Sequence, residues 1–161
     1  MIQHLAASYG PESRNRLDQA TDTSPDGARA VLESFYYALN HRDTDAMRGV
    51  WTDHSLAQLN NPLGGILRDG TRAVELYARI FAGPARLEIA FTDIVEYVGT
   101  DHVVYAGRET GHYSTDDLPM VPVAIRTTRY FRCQDGRWAQ YHHHGSIDDP
   151  AALTAYQHAL S

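Results

Sequence analysis

The chain has a single cysteine, no long apolar run and no concentration of positive charge, and each shortage removes a class of protein. Cys133, standing alone, cannot close an internal disulfide. Nowhere do about 18 apolar residues follow one another, so no segment is expected to cross a bilayer as a helix. The start, Met1-Ile2-Gln3-His4-Leu5-Ala6-Ala7, lacks a basic region followed by a long apolar stretch, so no leader is expected and a cytoplasmic location is the default. Formal charge is −6 and the basic residues are spread out, without the stripe that grips a phosphate backbone. No nucleic-acid partner is expected. What is present is 161 residues with 43% hydrophobic content, enough for one compact domain and too little for two.

Residues 1–24 are polar, interrupted by Gly10-Pro11 and Ser24-Pro25, and carry no sustained apolar period. They read as a polar N-terminal arm, mobile unless a partner holds it, ahead of one domain over 25–161. From Asp26 the apolar spacing becomes helical, with Ala30, Val31, Ser34, Phe35, Ala38 and Leu39 on one face. A second short helix is predicted over 43–50, capped by Asp43 or Thr44. A strand over 55–60 ends at Asn61-Pro62-Leu63-Gly64-Gly65, a loop by composition. A third helix over 71–81 buries Val74, Tyr77, Ile80 and Phe81 and stops before Gly83-Pro84.

Beyond that point the period is two. Segments 86–98, 101–114, 121–133 and 137–147 read as strands, and the Asp135-Gly136 turn between the last two is a hairpin signal. Three helices followed by an antiparallel meander give an α+β fold in which a bent sheet curls around a pocket closed by the helices. A short helix over 150–160 suits the pocket mouth or a subunit contact.

Several segments carry a family resemblance over Asp26 to Asp149. They are Ala38-Leu39-Asn40 with Asp43 and Asp45 beside it, the Asn61-Pro62-Leu63-Gly64-Gly65 loop leading to Asp69-Gly70-Thr71-Arg72-Ala73, and the closing Asp135-Gly136-Arg137-Trp138 hairpin with His142-x-His144-x-Ser146. Together they resemble the NTF2-like superfamily, within it the SnoaL-like and ketosteroid-isomerase-like branch, and the last hairpin also resembles the association domain of calmodulin-dependent kinases. The resemblance implies the cystatin-like cone, with three N-terminal helices on a strongly curved, mostly antiparallel sheet enclosing a pocket. It says little of function, because this scaffold hosts isomerases, cyclases, dehydratases, hydrolases and proteins without chemistry. Aligned on the isomerases, their proton-abstracting aspartate falls on Asn61, an amide without basicity near neutral pH. Their oxyanion-hole tyrosine falls on Phe35, and their protonated aspartate falls on about Arg129. True ketosteroid isomerase chemistry is therefore not expected. Aligned on the kinase domain, three pocket arginines fall on about Glu109, Arg129 and Gly145, which implies a mixed-charge pocket.

Period two puts Gly107, Glu109, Gly111 and Tyr113 on one face of their strand. Facing inward, Glu109 is a general-base candidate held by Arg129, or the two form a purely structural ion pair. On the last strand Tyr141, His143 and Gly145 share a face opposite His142 and His144, and the family comparison turns His143 inward. His143 is then an acid or base near neutral pH, or only a hydrogen-bonded core residue. His142 and His144 have metal-like spacing, but Glu109 and His112 lie on opposite faces of their strand, so no metal is expected. Trp51, Tyr77, Phe81, Phe91 and Ile125 are candidate pocket walls, and Asn60 and Asn61 stand at the rim.

The reading that collects these features is a cofactor-free small-molecule protein. It would move a proton, by Glu109 or His143 with Arg129 stabilising negative charge, on an apolar ligand bearing a carbonyl, hydroxyl or carboxylate. Tyr141 and Asn61 would orient that ligand, and the chain would pair as a homodimer through the outer face of its sheet. The alternative is a non-catalytic binding or oligomer-assembly module.

Overall fold

The computed structural model describes residues 1–161. Helix α1 spans Pro25–His41, with Ser24 as its cap accepting from the Asp26 amide and Pro25 at the first turn, where its missing N–H costs nothing. Helix α2 spans Thr44–Val50 under an Asp43 cap, and α3 spans Gly70–Ala82 under an Asp69 cap. The apolar faces of these helices, including Val31, Leu32, Phe35, Leu39, Val74, Tyr77 and Ile80, pack into one core with the inner face of the sheet.

Strands β1 (Ile2–Leu5), β2 (Gln58–Asn60), β3 (Leu67–Arg68), β4 (Arg86–Val98), β5 (His102–Ser114), β6 (Val121–Gln134) and β7 (Arg137–Ser146) form one sheet in the order β1-β4-β5-β6-β7-β2-β3. Only the β2–β7 pairing is parallel. The fold is the α+β arrangement read from the residues, in the cystatin-like form that the resemblance implies, and the short helix expected over 150–160 is α4 (Pro150–Leu160).

Two register shifts bend the sheet into its concave form. One lies in β4 between Thr92 and Val95, with Asp93 at φ 53°, and the other between β6 and β7 at Tyr130/Phe131. Farther along β5, opposite Ile89, Gly111 permits a close approach of β4, since its φ is +146° and a Cβ would sit 1.9 Å from the Glu88 carbonyl oxygen. The strand expected over 55–60 contracts to Gln58–Asn60, because the preceding residues form a turn rather than pair with the sheet.

The polar N-terminal arm is not free. Ile2–Leu5 pairs antiparallel with Tyr97–Ile94 at the sheet edge, and Tyr9 exchanges backbone hydrogen bonds of 3.1 and 2.7 Å with Phe91. Farther on, Arg16 donates through its amide to Ser34 Oγ at 2.7 Å, and the Trp138 amide donates to the Ala20 carbonyl. Gln3 also donates to Glu96, whose carboxylate receives two nitrogens of Arg29 at 2.8 and 2.7 Å. Backbone pairing needs no apolar period, which is why hydrophobic patterning shows nothing of this strap. Removing the buried ring in Tyr9→Ala is expected to lower unfolding free energy by about 3 kcal/mol in a denaturant titration; a loss below about 0.5 kcal/mol would show that the arm is dispensable.

Candidate functional site

The interior site rests on side chains from one helix and three strands. Arg129, on β6, is fully buried and every nitrogen of its guanidinium is engaged: Nε donates to Tyr36 Oη at 2.9 Å, Nη1 to Gln140 Oε1 at 3.0 Å and Nη2 to Glu109 Oε1 at 2.7 Å. Its carbon lies 3.6 Å above the Phe35 ring. Glu109, on β5, also accepts from Tyr36 at 2.7 Å and, on its other oxygen, from Thr127 at 2.8 Å. The pair is thus matched in charge and satisfied in hydrogen bonding, the condition under which a buried ion pair is tolerated. Burial alone would push the Arg129 guanidinium down, but Tyr36 and Glu109 outweigh it and hold the cation above its ordinary range. Burial pushes the Tyr36 hydroxyl well up, so it stays a neutral donor.

His143, on β7, stands beside this network without joining it. Its Nδ1 is 3.4 Å from Tyr77 Oη, and its buried Nε2 has no hydrogen-bond partner. Burial first, and then the Arg129 charge, push the imidazole well below its ordinary value, so it is neutral at physiological pH. Whichever tautomer Tyr77 selects, Nε2 is the free atom. Gly145 packs closely beside it, since a Cβ there would lie 3.0 Å from Ile125 Cγ2 and 3.3 Å from both His143 Nε2 and Pro62 Cδ.

His143, Glu109 and Arg129 share a narrow cleft with Asn61, Tyr77 and Ile125, and α4 closes it with Tyr156 and Leu160. The cleft measures only about 30 Å³, room for one water molecule. Chemically, the arrangement offers a neutral acid or base at the end of a closed apolar passage, backed by a matched ion pair.

Several residues expected at the site lie elsewhere. Tyr141 occupies the extra position of the β7 bulge, so Gln140 and His143 both turn inward while Tyr141 turns out, its hydroxyl donating to Gln134 at 2.7 Å. It lines an outer groove with Trp51 instead of the cleft. Phe91 stacks on Tyr36 at 5.4 Å and belongs to the core, as does Phe81. Asn60 and Phe81 do not reach the cleft, and Asn61 reaches it while accepting from the Leu63 amide to shape its own loop. Sequence reasoning missed Tyr36, Thr127 and Gln140. Tyr36 follows Leu32 by one turn of α1, which was a readable signal, whereas Gln140 depends on the bulge. The outer histidines do not converge: His142 Nδ1 faces the Gln58 carbonyl at 3.0 Å, His112 lies 3.5 Å from Glu88, and no three His, Cys, Asp or Glu side chains come together as a metal site.

The profile of the SnoaL-like domain family matches residues 28–150. No functionally curated protein matches the sequence. Among solved structures, a protein of the NTF2-like family from Streptomyces avermitilis, provisionally called a dehydratase, superimposes with a TM-score of 0.65 at 24% identity, covering 78% of this chain and 97% of its own. A ketosteroid isomerase-like protein from Erwinia carotovora atroseptica gives 0.64 at 17% identity, over 76% and 94%. A protein from Thiobacillus denitrificans, provisionally called a calcium/calmodulin-dependent protein kinase type II association domain, gives 0.61 at 26% identity, over 75% and 94%.

Glu109→Gln strands the buried Arg129 charge and is expected to cost about 3 kcal/mol in chemical denaturation, with part recovered when Arg129→Met removes the cation as well; a neutral single substitution would contradict the network. His143 gives a pH signature of opposite origin. Its folded value is depressed, so below the ordinary unfolded value of about 6.5 the unfolded state binds the extra proton and stability falls as pH falls, by up to about 1.4 kcal/mol per pH unit. Thermal melts between pH 7 and 5 should therefore decline more steeply for the wild type than for His143→Gln; parallel profiles would mean that His143 charges freely.

Proposed function

The chain belongs to the SnoaL-like domain family, and from that premise we propose that it is a cofactor-free small-molecule protein in which neutral His143 exchanges a proton with a carbonyl- or hydroxyl-bearing apolar ligand. The observation that carries the reading is the free Nε2 of a fully buried imidazole at the cleft, with Tyr77 on the other nitrogen. A base must be deprotonated and have a free lone pair to take a proton, and His143 meets both conditions in the tautomer whose Nδ1–H donates to Tyr77. Glu109 does not meet the second, because three donors already occupy its oxygens. Glu109 and Arg129 therefore act as positioning residues, fixing the wall of the cleft and supplying a fixed field beside His143. Asn61 stands at the rim, and Tyr156 and Leu160 seal it, so a ligand enters by displacing α4. The dehydratase and isomerase names carried by structural relatives agree with proton transfer as the reaction type. The same proposal has the chain pairing with a second copy through the outer sheet face, where short side chains such as Ala124 and Thr128 are exposed.

The small volume of the closed cleft favours a second reading, a binding or assembly module without turnover. The two separate on one experiment. Deuterium incorporation next to the carbonyl of β-tetralone, followed by NMR in heavy water, is expected to run about a hundredfold or more above buffer with the wild type. With folded His143→Gln it should return to the buffer rate. Equal rates with both proteins would assign any exchange to another group, and no acceleration by either would favour the module.

A further inference from the structure

Outside the cleft, between the end of α3, the loop after Pro62 and the end of α4, lies a second, larger space. This groove measures about 440 Å³ and is lined by Leu63, Ile66, Leu76, Arg79, Ile80 and Leu160, among others. Ile80 and Leu160 line both the groove and the His143 cleft. Two apolar side chains thus separate a ligand-sized space from a water-sized one.

The partition on the α4 side is lightly held. Tyr156 and Leu160 are its buried residues, Tyr156 meets Tyr113 edge-on at 5.6 Å, and Gln157 donates to the Pro62 carbonyl at 2.9 Å. The helix has 11 residues, too few to be stable without its docking contacts, so it opens at the cost of those few contacts.

Charge at the groove points to an occupant. The sequence has no lysine, so all 14 of its Lys/Arg-type positive charges are arginines, and the chain is net negative at −6. Against that balance, Arg79 lines the groove with no carboxylate within ion-pair distance. Arg42 and Arg86 crowd the same turn, their guanidiniums donating to the Gly83 carbonyl at 3.1 and 3.0 Å, and Gly83 itself lines the groove. Arg79 therefore edges the apolar wall itself, and two further guanidiniums without carboxylate partners lie at the turn beside it. Inside, the balance is the reverse. Arg129 is consumed by Glu109, Tyr36 and Gln140, and His143 is neutral, so a carboxylate pushed inward would be buried without compensation.

We propose that groove and cleft form one bent site for an amphipathic carboxylic acid, with its carboxylate on Arg79, its apolar body along Leu63, Ile66 and Leu76, and a neutral carbonyl or hydroxyl end passing Ile80 and Leu160 to His143. α4 is the lid of that site. The inference rests on the interior reading above and adds to it the class of ligand and its direction of entry.

Isothermal titration of the full chain with ω-hydroxyoctanoate and with octanediol tests it, since the two share a body and an inner hydroxyl and differ in the outer charge. The acid is expected to bind about tenfold or more tighter, the usual yield of one charge-assisted contact. Arg79→Gln should bring the two to equal affinity, while His143→Gln weakens both by a similar factor. Equal affinity for the wild type, or an Arg79→Gln protein that still prefers the acid, overturns the anionic class but leaves the interior reading in place. Dependence on Arg79 without dependence on His143 overturns the bent site through failure of the interior reading. Binding of neither probe, or groove occupation by a second copy seen as an Ile66→Asp change in oligomer mass, overturns the proposal outright.

Discussion

Burying an arginine in the core of a small domain is the constraint on which the rest of this structure depends. Arg129 has 0% exposure and nowhere to place its charge except on Glu109 at 2.7 Å. Left alone, such a charge would cost several kcal/mol, a large part of the margin by which a domain of this size is folded. The solution recruits Tyr36 from α1, Thr127 from the same strand β6 and Gln140 from β7, so one cation fixes the helix and the strands relative to one another. It also fixes the chemistry available. Once Glu109 is matched and saturated, the neighbouring imidazole is held neutral by burial and by the adjacent guanidinium, which is the basis for proposing it as the proton acceptor of the interior.

Much of the frame was legible because its signals are local. The four long strands follow period two, the helices carry Ser24, Asp43 and Asp69 caps, and the last hairpin turns on Asp135 and Gly136, both at positive φ as a tight primed turn requires. The juxtaposition of Glu109 and Arg129 followed from the family resemblance, which supplied the register. What was not legible depends on non-local geometry. A one-residue bulge in β7 reverses Tyr141 and brings in Gln140, and no property of either residue announces it. The N-terminal strap is held by backbone hydrogen bonds that leave no hydrophobic pattern. The closeness of the interior is a sum over many side chains, with Tyr156 and Leu160 from the far end of the chain filling space that composition would assign to a ligand.

Closure and reactivity are linked in this arrangement. In the proposed reading, α4 keeps water scarce around His143 and the ion pair fixes the field beside it. In the proposed site, lifting α4 joins the cleft to the groove edged by Arg79, so the segment that covers His143 would also control what reaches it. On the same proposal, the division of charge, matched within and unmatched at Arg79, would sort the two ends of an incoming molecule.

The state of the His143 ring itself is the most direct test of this account. Long-range proton–nitrogen NMR of imidazole-labelled protein reports the protonation and tautomer of each histidine separately, and His143→Gln identifies the signal. The account predicts nitrogen shifts of a single neutral tautomer that stay unchanged as pH is lowered through 6.5 for as long as the protein remains folded. A His143 ring that takes up a proton over that range while the protein is still folded would contradict the neutral, closed interior on which the functional reading stands.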